Sequence, residues 1–393
     1  MNKFITALIF VFSVAQAKAQ KREMASIIDR QFHLAQKQYK VLAEHTPADR
    51  MPKTYYAASN KWETSNTQWW CSGFFPGSLL YIYEYTKDTS TLAEAKKRLN
   101  VLEKEKHYTG NHDLGFMMFC SFGNAYRILK NPVYKPTIDT AAASLATRYR
   151  PYAKVIQSWN SSKTWKGPVI IDNLMNLELL LWVTAHGGDE KYRQIALNHA
   201  DNTMKNHFRA DFSSYHVVDY DMSTGAVLKK ATAQGAADSS AWSRGQGWAL
   251  YGYTMLYRMT KDKKYLDQAN HIAAFILNNS NMPADKIPYW DFDAPGIPNT
   301  YRDASAAAVI ASALLELGQY NDPLLKKKYV TLAEQMIKSL SSDKYTAKAG
   351  ENGGFLLMHS AGAVPSKSEV DVPLSYADYY YLEALQRYKR WYL

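Results

Sequence analysis

At 393 residues the chain is long enough for two domains, yet no Pro/Gly/Ser-rich linker or block of charge divides it. Its net charge of +11 suits nucleic acid, membrane lipid or an acidic polysaccharide; with no Lys/Arg-rich block or nucleic-acid motif, acidic sugar is the best of the three. Two cysteines cannot build a Cys-rich zinc site and no His-Glu-x-x-His or comparable cluster occurs, so neither a metal nor another cofactor is expected.

The first residues read as a targeting signal. Lys3 supplies a positive start, Ile5 to Ala15 an apolar stretch, and Ala17-Lys-Ala19 a small-x-small cleavage site. The apolar stretch falls short of the roughly 20 residues that a membrane span needs. Residues 1–19 are therefore expected to be a signal peptide, and residues 20–393 one exported domain carrying about +9 once Lys3 and Lys18 are lost. That the charge serves only solubility is the weaker account. Trp69 and Trp70 read as wall or core. Cys71 and Cys120 lie among aromatic and glycine residues, as buried free thiols do, although an exported pair could also be bonded.

Most of the remaining chain shows apolar residues at helical spacing, as in Leu174-Leu177-Leu180-Leu181 and Leu250-Tyr253-Leu256-Tyr257. Turns recur in a shared form, an Asp or Asn followed by Tyr and then Ala. Examples are Asp189-Tyr192-Ala196, Asp262-Tyr265-Ala269 and Asp322-Tyr329-Ala333, with degenerate copies at Asn131 and Asp88. In this form the Asp caps a helix, the tyrosine packs across a helix pair and the alanine allows close approach. Roughly six long hairpins fit the length. The expected architecture is all-α, a closed helical toroid with a few short strands at its rim. An open superhelix is the alternative. The pieces 214–221 and 353–358 are expected to pair there as strands.

Two aspartates stand in apolar surroundings. Asp113 precedes an apolar run, and Asp172 is bracketed by Ile171 and Leu174. Helix capping is the commoner use of an Asp in such a place. Desolvation there would raise a carboxyl pKa and keep a proton available near neutrality, and a second carboxylate would raise it further. The segment Asp238 to Tyr253 packs Trp242, Arg244 and Trp248 with three glycines ahead of an apolar helix. A fixed cation beside flat rings is the pair that grips a sugar carrying a carboxylate.

That segment, Ser240-Ala-Trp-Ser-Arg-Gly-Gln-Gly-Trp-Ala-Leu-Tyr-Gly252, resembles the signature of the unsaturated glucuronyl hydrolases, glycoside hydrolase family 88. His112-Asp-Leu-Gly-Phe116, Ile171-Asp-Asn-Leu-Met-Asn-Leu177 and Tyr215-His-Val-Val-Asp-Tyr-Asp221 resemble the same family in the same order. Glu351 to Leu357 and Tyr376 to Tyr380 complete the match, which covers nearly the whole mature chain. The resemblance implies an (α/α)6 barrel and hydration of a 4,5-unsaturated uronic acid at the non-reducing end of lyase-made, glycosaminoglycan-type oligosaccharides.

By motif, Asp172 matches the general acid/base, and Asp113 the second aspartate that keeps it protonated. His216 and Gln234 match sugar contacts, although a lone histidine is more often a satisfied core residue and Gln234 could simply start a turn. Arg244 and Trp248 are the strongest binding candidates, one for polar contact and one for stacking; Trp242 belongs with them and His112 is weaker. The 360–375 loop, with Lys367 and Ser368, could border the next sugar, where a sulfate would bind; a solvated loop is the plainer account of Lys367. Two other readings remain, an unsaturated rhamnogalacturonyl hydrolase acting on pectin fragments and a sugar-binding toroid without turnover.

Overall fold

The computed structural model describes residues 2–393, with side chains from Lys18 onward. The side chains of the expected leader, as far as residue 17, lie outside what is described. Helices dominate: α1 (Asn2–Glu44), α2 (Phe74–Thr86), α3 (Thr89–Leu102), α4 (Asn124–Leu129), α5 (Lys135–Ala146) and α6 (Leu177–Ala185) in the first half. The second half adds α7 (Glu190–Asn206), α8 (Ser243–Thr260), α9 (Lys263–Asn278), α10 (Ala304–Leu317), α11 (Pro323–Leu340) and α12 (Ser375–Tyr392). A π-helical stretch, Gly115–Gly123, runs directly into α4.

Six of these form an inner ring. In order they are α2, the 115–129 helix, α6, α8, α10 and α12, and α12 packs back against α2 to close the circle. The others, α1, α3, α5, α7, α9 and α11, lie outside. The sequence dictates the division. Every residue of α10 is buried: Ala, Val, Ile and Leu make up most of it, and its Ser305, Ser312 and Glu316 have hydrogen-bond or ion-pair partners. In α9 only Tyr265, Gln268, Ala269, Ile272, Ala273 and Ile276 are buried, one face at three- and four-residue spacing. The expected (α/α)6 toroid is the observed fold.

The recurrent turns do what their chemistry predicts. Asp88, Asp189, Asp262 and Asp322 each accept a backbone N–H at the start of α3, α7, α9 and α11. A cap of this kind contributes about 1 kcal/mol. The Tyr265 hydroxyl donates to Asp201 at 2.8 Å and the Tyr329 hydroxyl to Asn270 at 2.9 Å, tying neighbouring outer helices together.

Short strands lie in the connections that lead into inner helices. They form the hairpins β1 (Met51–Tyr56) with β2 (Lys61–Ser65), β3 (Tyr149–Arg150) with β4 (Val155–Ile156), and β8 (Ser360–Ala363) with β9 (Ser368–Val372). An antiparallel sheet of order β5 (Pro168–Ile170), β6 (Val217–Tyr220), β7 (Val227–Ala231) completes them. The expected pairing of 214–221 with 353–358 is not found. The partners of β6 are β5 and β7, with Val169 opposite Val218 and Val217 opposite Ala231.

The 353–358 stretch is a loop with another task. The Asp378 carboxylate accepts the backbone N–H groups of Leu356 and Leu357, both at 2.9 Å, and the Tyr39 hydroxyl lies 3.3 Å away. From α1, the Gln38 amide donates to Glu351 O and Phe355 O and accepts from Gly350 N. The first helix therefore clasps the loop that precedes the last. Cys71 and Cys120 are free thiols, and burial pushes both up from the usual thiol range.

Candidate active site

Asp113 stands just ahead of the π-helical stretch, and Asp172 lies in a 3-10 turn, Ile171–Asn176, that feeds α6. Two contacts bring these segments together. Gly115 has no side chain where a Cβ would stand 2.4 Å from Asn176 Cα, and the Asn176 Oδ1 accepts the Phe116 N–H at 2.9 Å. On the other side of the turn, a Cβ at Gly252 of α8 would meet Leu174 Cβ at 2.5 Å. Only glycine allows the backbones to approach so closely.

Neither aspartate caps a helix: the residue at the N-cap of each segment is another, and neither carboxylate accepts an N–H there. Both lie inside, and burial pushes both up. Asp113 is raised to about 8, by burial first and by the Asp172 carboxylate second, with Arg148 opposing. Asp172 is raised to about 7 by burial, with Arg244 opposing. Two carboxyls that repel each other in a dry site give up their protons in turn, so the pair keeps one proton near neutral pH. The Trp248 indole N–H approaches Asp172 and favours its charged form slightly, without reaching full hydrogen-bond geometry.

Histidines flank both acids. His216 Nε2 lies 3.7 Å from Asp172 Oδ2, and its Nδ1 accepts the backbone N–H groups of Ala233 and Gln234 at 3.0 and 3.1 Å. Accepting at Nδ1 places the ring proton on Nε2, facing the acid. His112 Nε2 lies 3.3 Å from Asp113 Oδ1, with Ser158 Oγ near its Nδ1. Burial holds both rings down at about 3, so both are neutral at physiological pH. Asp172 Oδ2, His216 Nε2 and Trp248 Nε1 have no hydrogen-bond partner in the protein. Three buried polar atoms are thus left for a ligand.

The binding candidates divide differently from expectation. Arg244 is 1% exposed: it pairs with Asp303 at 3.0 Å, donates to the carbonyls of Ala361 and Gly362, and lies over the rings of Trp242 and Tyr376. Its other work is to hold β8 against α8, and Nε alone lacks a partner. Trp248 is fully buried against Phe116 and Tyr380, so it offers no face for stacking; its indole N–H is what it turns to the site. Trp242 packs on His216 with ring centroids 4.7 Å apart, forming a wall. Gln234 is half-buried and donates to Gly362 O at 3.0 Å, the same carbonyl that Arg244 holds.

Trp70 packs on Phe74, Phe116 and Tyr376, whereas Trp69 is 41% exposed beneath Lys53. Lys367 is exposed at the tip of the β8–β9 hairpin. Sequence reasoning missed Arg148, Ser158 and Asp303. Arg148 is buried, its guanidinium held by Gln157 O and Thr109 O, and acts electrostatically on Asp113. No local pattern marks it, because its partner is 35 positions away in the chain. Asp303 carries the helix-capping signature, and caps α10 through the Ser305 N–H, but its ion pair with Arg244 joins segments 59 residues apart.

A cavity of about 370 Å³ opens at the other end of the ring and does not contain the acids. Most of its charges are already matched: Arg258 bonds to Glu178 and Glu316, and Arg387 to Glu316 and Glu383. The acid pair, with its unmatched polar atoms, is the better site. Among the described residues no group of three or more His, Cys, Asp or Glu side chains is arranged to hold a metal ion.

The family model for Glycosyl Hydrolase Family 88 matches residues 33–392. An unsaturated glucuronyl hydrolase from Formosa agariphila is 41% identical over 375 residues, covering 95% of this chain and 93% of the relative. The crystal structure of an unsaturated glucuronyl hydrolase specific for heparin superposes with a TM-score of 0.90 at 46% identity, over 93% of this chain and 97% of that one. A mutant unsaturated glucuronyl hydrolase from Streptococcus agalactiae complexed with dGlcA-GalNAc6S gives a TM-score of 0.79 at 30% identity, over 93% and 92%.

The close approach at Gly115 makes a direct prediction. Gly115→Ala places a methyl group against the Asn176 backbone and should cost about 1–3 kcal/mol of stability, since neither segment can yield. Denaturant unfolding measures it; an unchanged midpoint would mean that the contact is dispensable.

Proposed function

The chain belongs to glycoside hydrolase family 88, and from that premise we propose that it removes the 4,5-unsaturated uronic acid from the non-reducing end of lyase-made glycosaminoglycan oligosaccharides. The observation that carries this reading is the buried acid pair holding a proton near neutrality beside three unmatched polar atoms. Protonating a carbon needs such an acid in a dry pocket. The relatives' names add substrates of this class.

The substrate's C4=C5 bond with its ring oxygen is a vinyl ether. Asp172 gives its proton to C4, and the cation that develops at C5 is shared with the ring oxygen. Water adds at C5 while the Asp172 carboxylate takes the water's proton, which restores the acid. The hemiketal then opens to a C5 ketone, C1 becomes an aldehyde, and the remaining sugar leaves as an alcohol; one water is consumed. In this reading Asp113 keeps the shared proton available and orients sugar hydroxyls. His216, fixed as its Nε2–H tautomer, donates to the sugar or to the incoming water. Arg244 supplies positive charge through the wall.

Asp172→Asn should lower kcat by about 10²–10⁴-fold with binding retained, because an amide cannot donate to carbon. Wild-type rate should fall as pH rises through about 7 to about 8, the range in which the two acids give up their protons in turn. Asp113→Asn takes one acid out of the coupled pair, leaves the remaining proton to Asp172 alone at about 7, and should draw the alkaline limb in to lower pH. An unmoved limb would remove Asp113 from the acid's environment.

The reaction class has its own test. In heavy water, turnover should place one deuterium at C4 on a single face, delivered by an acid fixed in the pocket. Saturated glucuronides should bind but stay intact. Their efficient hydrolysis, or deuterium on both faces of C4, would point instead to two-carboxylate chemistry at the anomeric carbon.

Export belongs to the same proposal. It rests on the Lys3 to Ala19 pattern. The mature protein is expected to begin at Gln20; an intact Met1 on the protein from its native host would refute the leader.

A further inference from the structure

A line of side chains leads outward from the acid pair. His112 is bonded to Ser158 through both backbone and side chain: its N–H donates to Ser158 O at 3.0 Å, and Ser158 Oγ lies 3.3 Å from Nδ1. The next residue, Trp159, is half-buried and meets Trp165 edge-on, with centroids 6.3 Å apart. Lys229, exposed on β7, holds its ammonium 5.0 Å over the Trp165 ring. Two further cations, Lys163 and Lys166, are exposed in the same loop.

This loop is built rather than slack. Ser162 N donates to Trp165 O at 2.8 Å, and Ser162 Oγ accepts the N–H groups of Thr164 and Trp165, each at 3.2 Å. The buried Asp219 carboxylate anchors its end by accepting from Lys166 N and Gly167 N at 3.1 and 2.7 Å. Asp219 lies beneath the backbone, and among the described residues Lys163, Lys166 and Lys229 have no ion-pair partner. Lysines without an ion-pair partner, such as Lys37, Lys61 and Lys367, are common elsewhere on the surface; Lys229 differs from these in lying over a fixed indole ring. Unmatched cations interleaved with fixed indole rings complement a chain of sugars in which every second residue carries a carboxylate.

We propose that the face formed by Trp165 and Lys229, continuous with Trp159, is an extended subsite for anionic oligosaccharide. It receives sugars beyond the one that leaves, with the next uronate carboxylate on Lys229 and a ring against Trp165. This rests on the proposed reaction: the unsaturated end is held at Asp172, so the rest of the chain must exit past a wall of the mouth. A disaccharide ends before this face.

The test compares unsaturated disaccharides with tetrasaccharides from heparin and from chondroitin, on wild type, Lys229→Ala and Trp165→Ala. Each variant should lower kcat/KM for the tetrasaccharide by about two- to fivefold, through KM, and leave the disaccharide unchanged. Lys229→Ala should also flatten the salt dependence of the tetrasaccharide reaction, since an exposed charge contact is screened. Equal losses on both lengths, or no loss on the longer one, would overturn the subsite. Absence of turnover on every substrate by wild type would defeat the proposed reaction instead. Calorimetric binding of the tetrasaccharide then decides the matter, and equal affinity for wild type and Lys229→Ala would overturn the proposal by itself.

Discussion

Everything at the reactive end of the ring depends on the approach of two backbones at Gly115 and Asn176. The acids lie on separate segments, 59 positions apart, and no hydrogen bond joins them. What holds them in register is the missing side chain at Gly115 together with the Asn176 amide that accepts from Phe116. The electrostatics follow from that geometry. Carboxyls placed in one dry space repel each other, and repulsion added to desolvation keeps a proton on the pair. A wider gap would remove the repulsion that Asp172 adds to Asp113 and leave burial alone to hold both carboxyls up.

Rigidity is distributed around that contact. Arg244 joins α8, Asp303 at the start of α10 and the carbonyls of β8, so one guanidinium fixes three segments of wall. His216 is locked by two backbone donors on one side, which leaves its other nitrogen a single orientation. The site is therefore made of groups whose other bonds are already committed, and each leaves one polar atom over for a ligand. Preorganisation of this kind lowers the reorganisation needed when charge develops on a substrate.

Much of the fold was legible because its signals are local. The Asp-Tyr-Ala turns encode caps and inter-helix contacts within a few residues, and the helical period separates Ala304–Leu317, mostly apolar and buried all round, from the one-faced outer helices. Asp113 and Asp172 were legible through their apolar neighbours. The sequence did not reveal which way the large side chains of the Trp242 to Trp248 segment would turn. Its composition suggests a binding face, but burial of Trp248 and of the Arg244 ion pair depends on α10 and β8, which are far along the chain. Arg148 was missed for the same reason. The 353–358 stretch reads as a strand by its Phe-Leu-Leu run, yet Asp378 takes the N–H groups that a sheet partner would have used.

The clasp of α1 on the Glu351–Leu357 loop, and the return of α12 to α2, also bear on how the chain is made. A ring whose last inner helix must lie beside its first has high contact order, and loop closure over such distances is slow. As the chain leaves the ribosome, α2 presents an apolar flank whose cover is still unsynthesised, roughly three hundred residues behind. A half-made toroid is thus an open arc with two sticky ends. Chains cut short before Ser375 would keep that arc open for good, so truncation near the C-terminus should yield aggregates rather than a smaller stable protein.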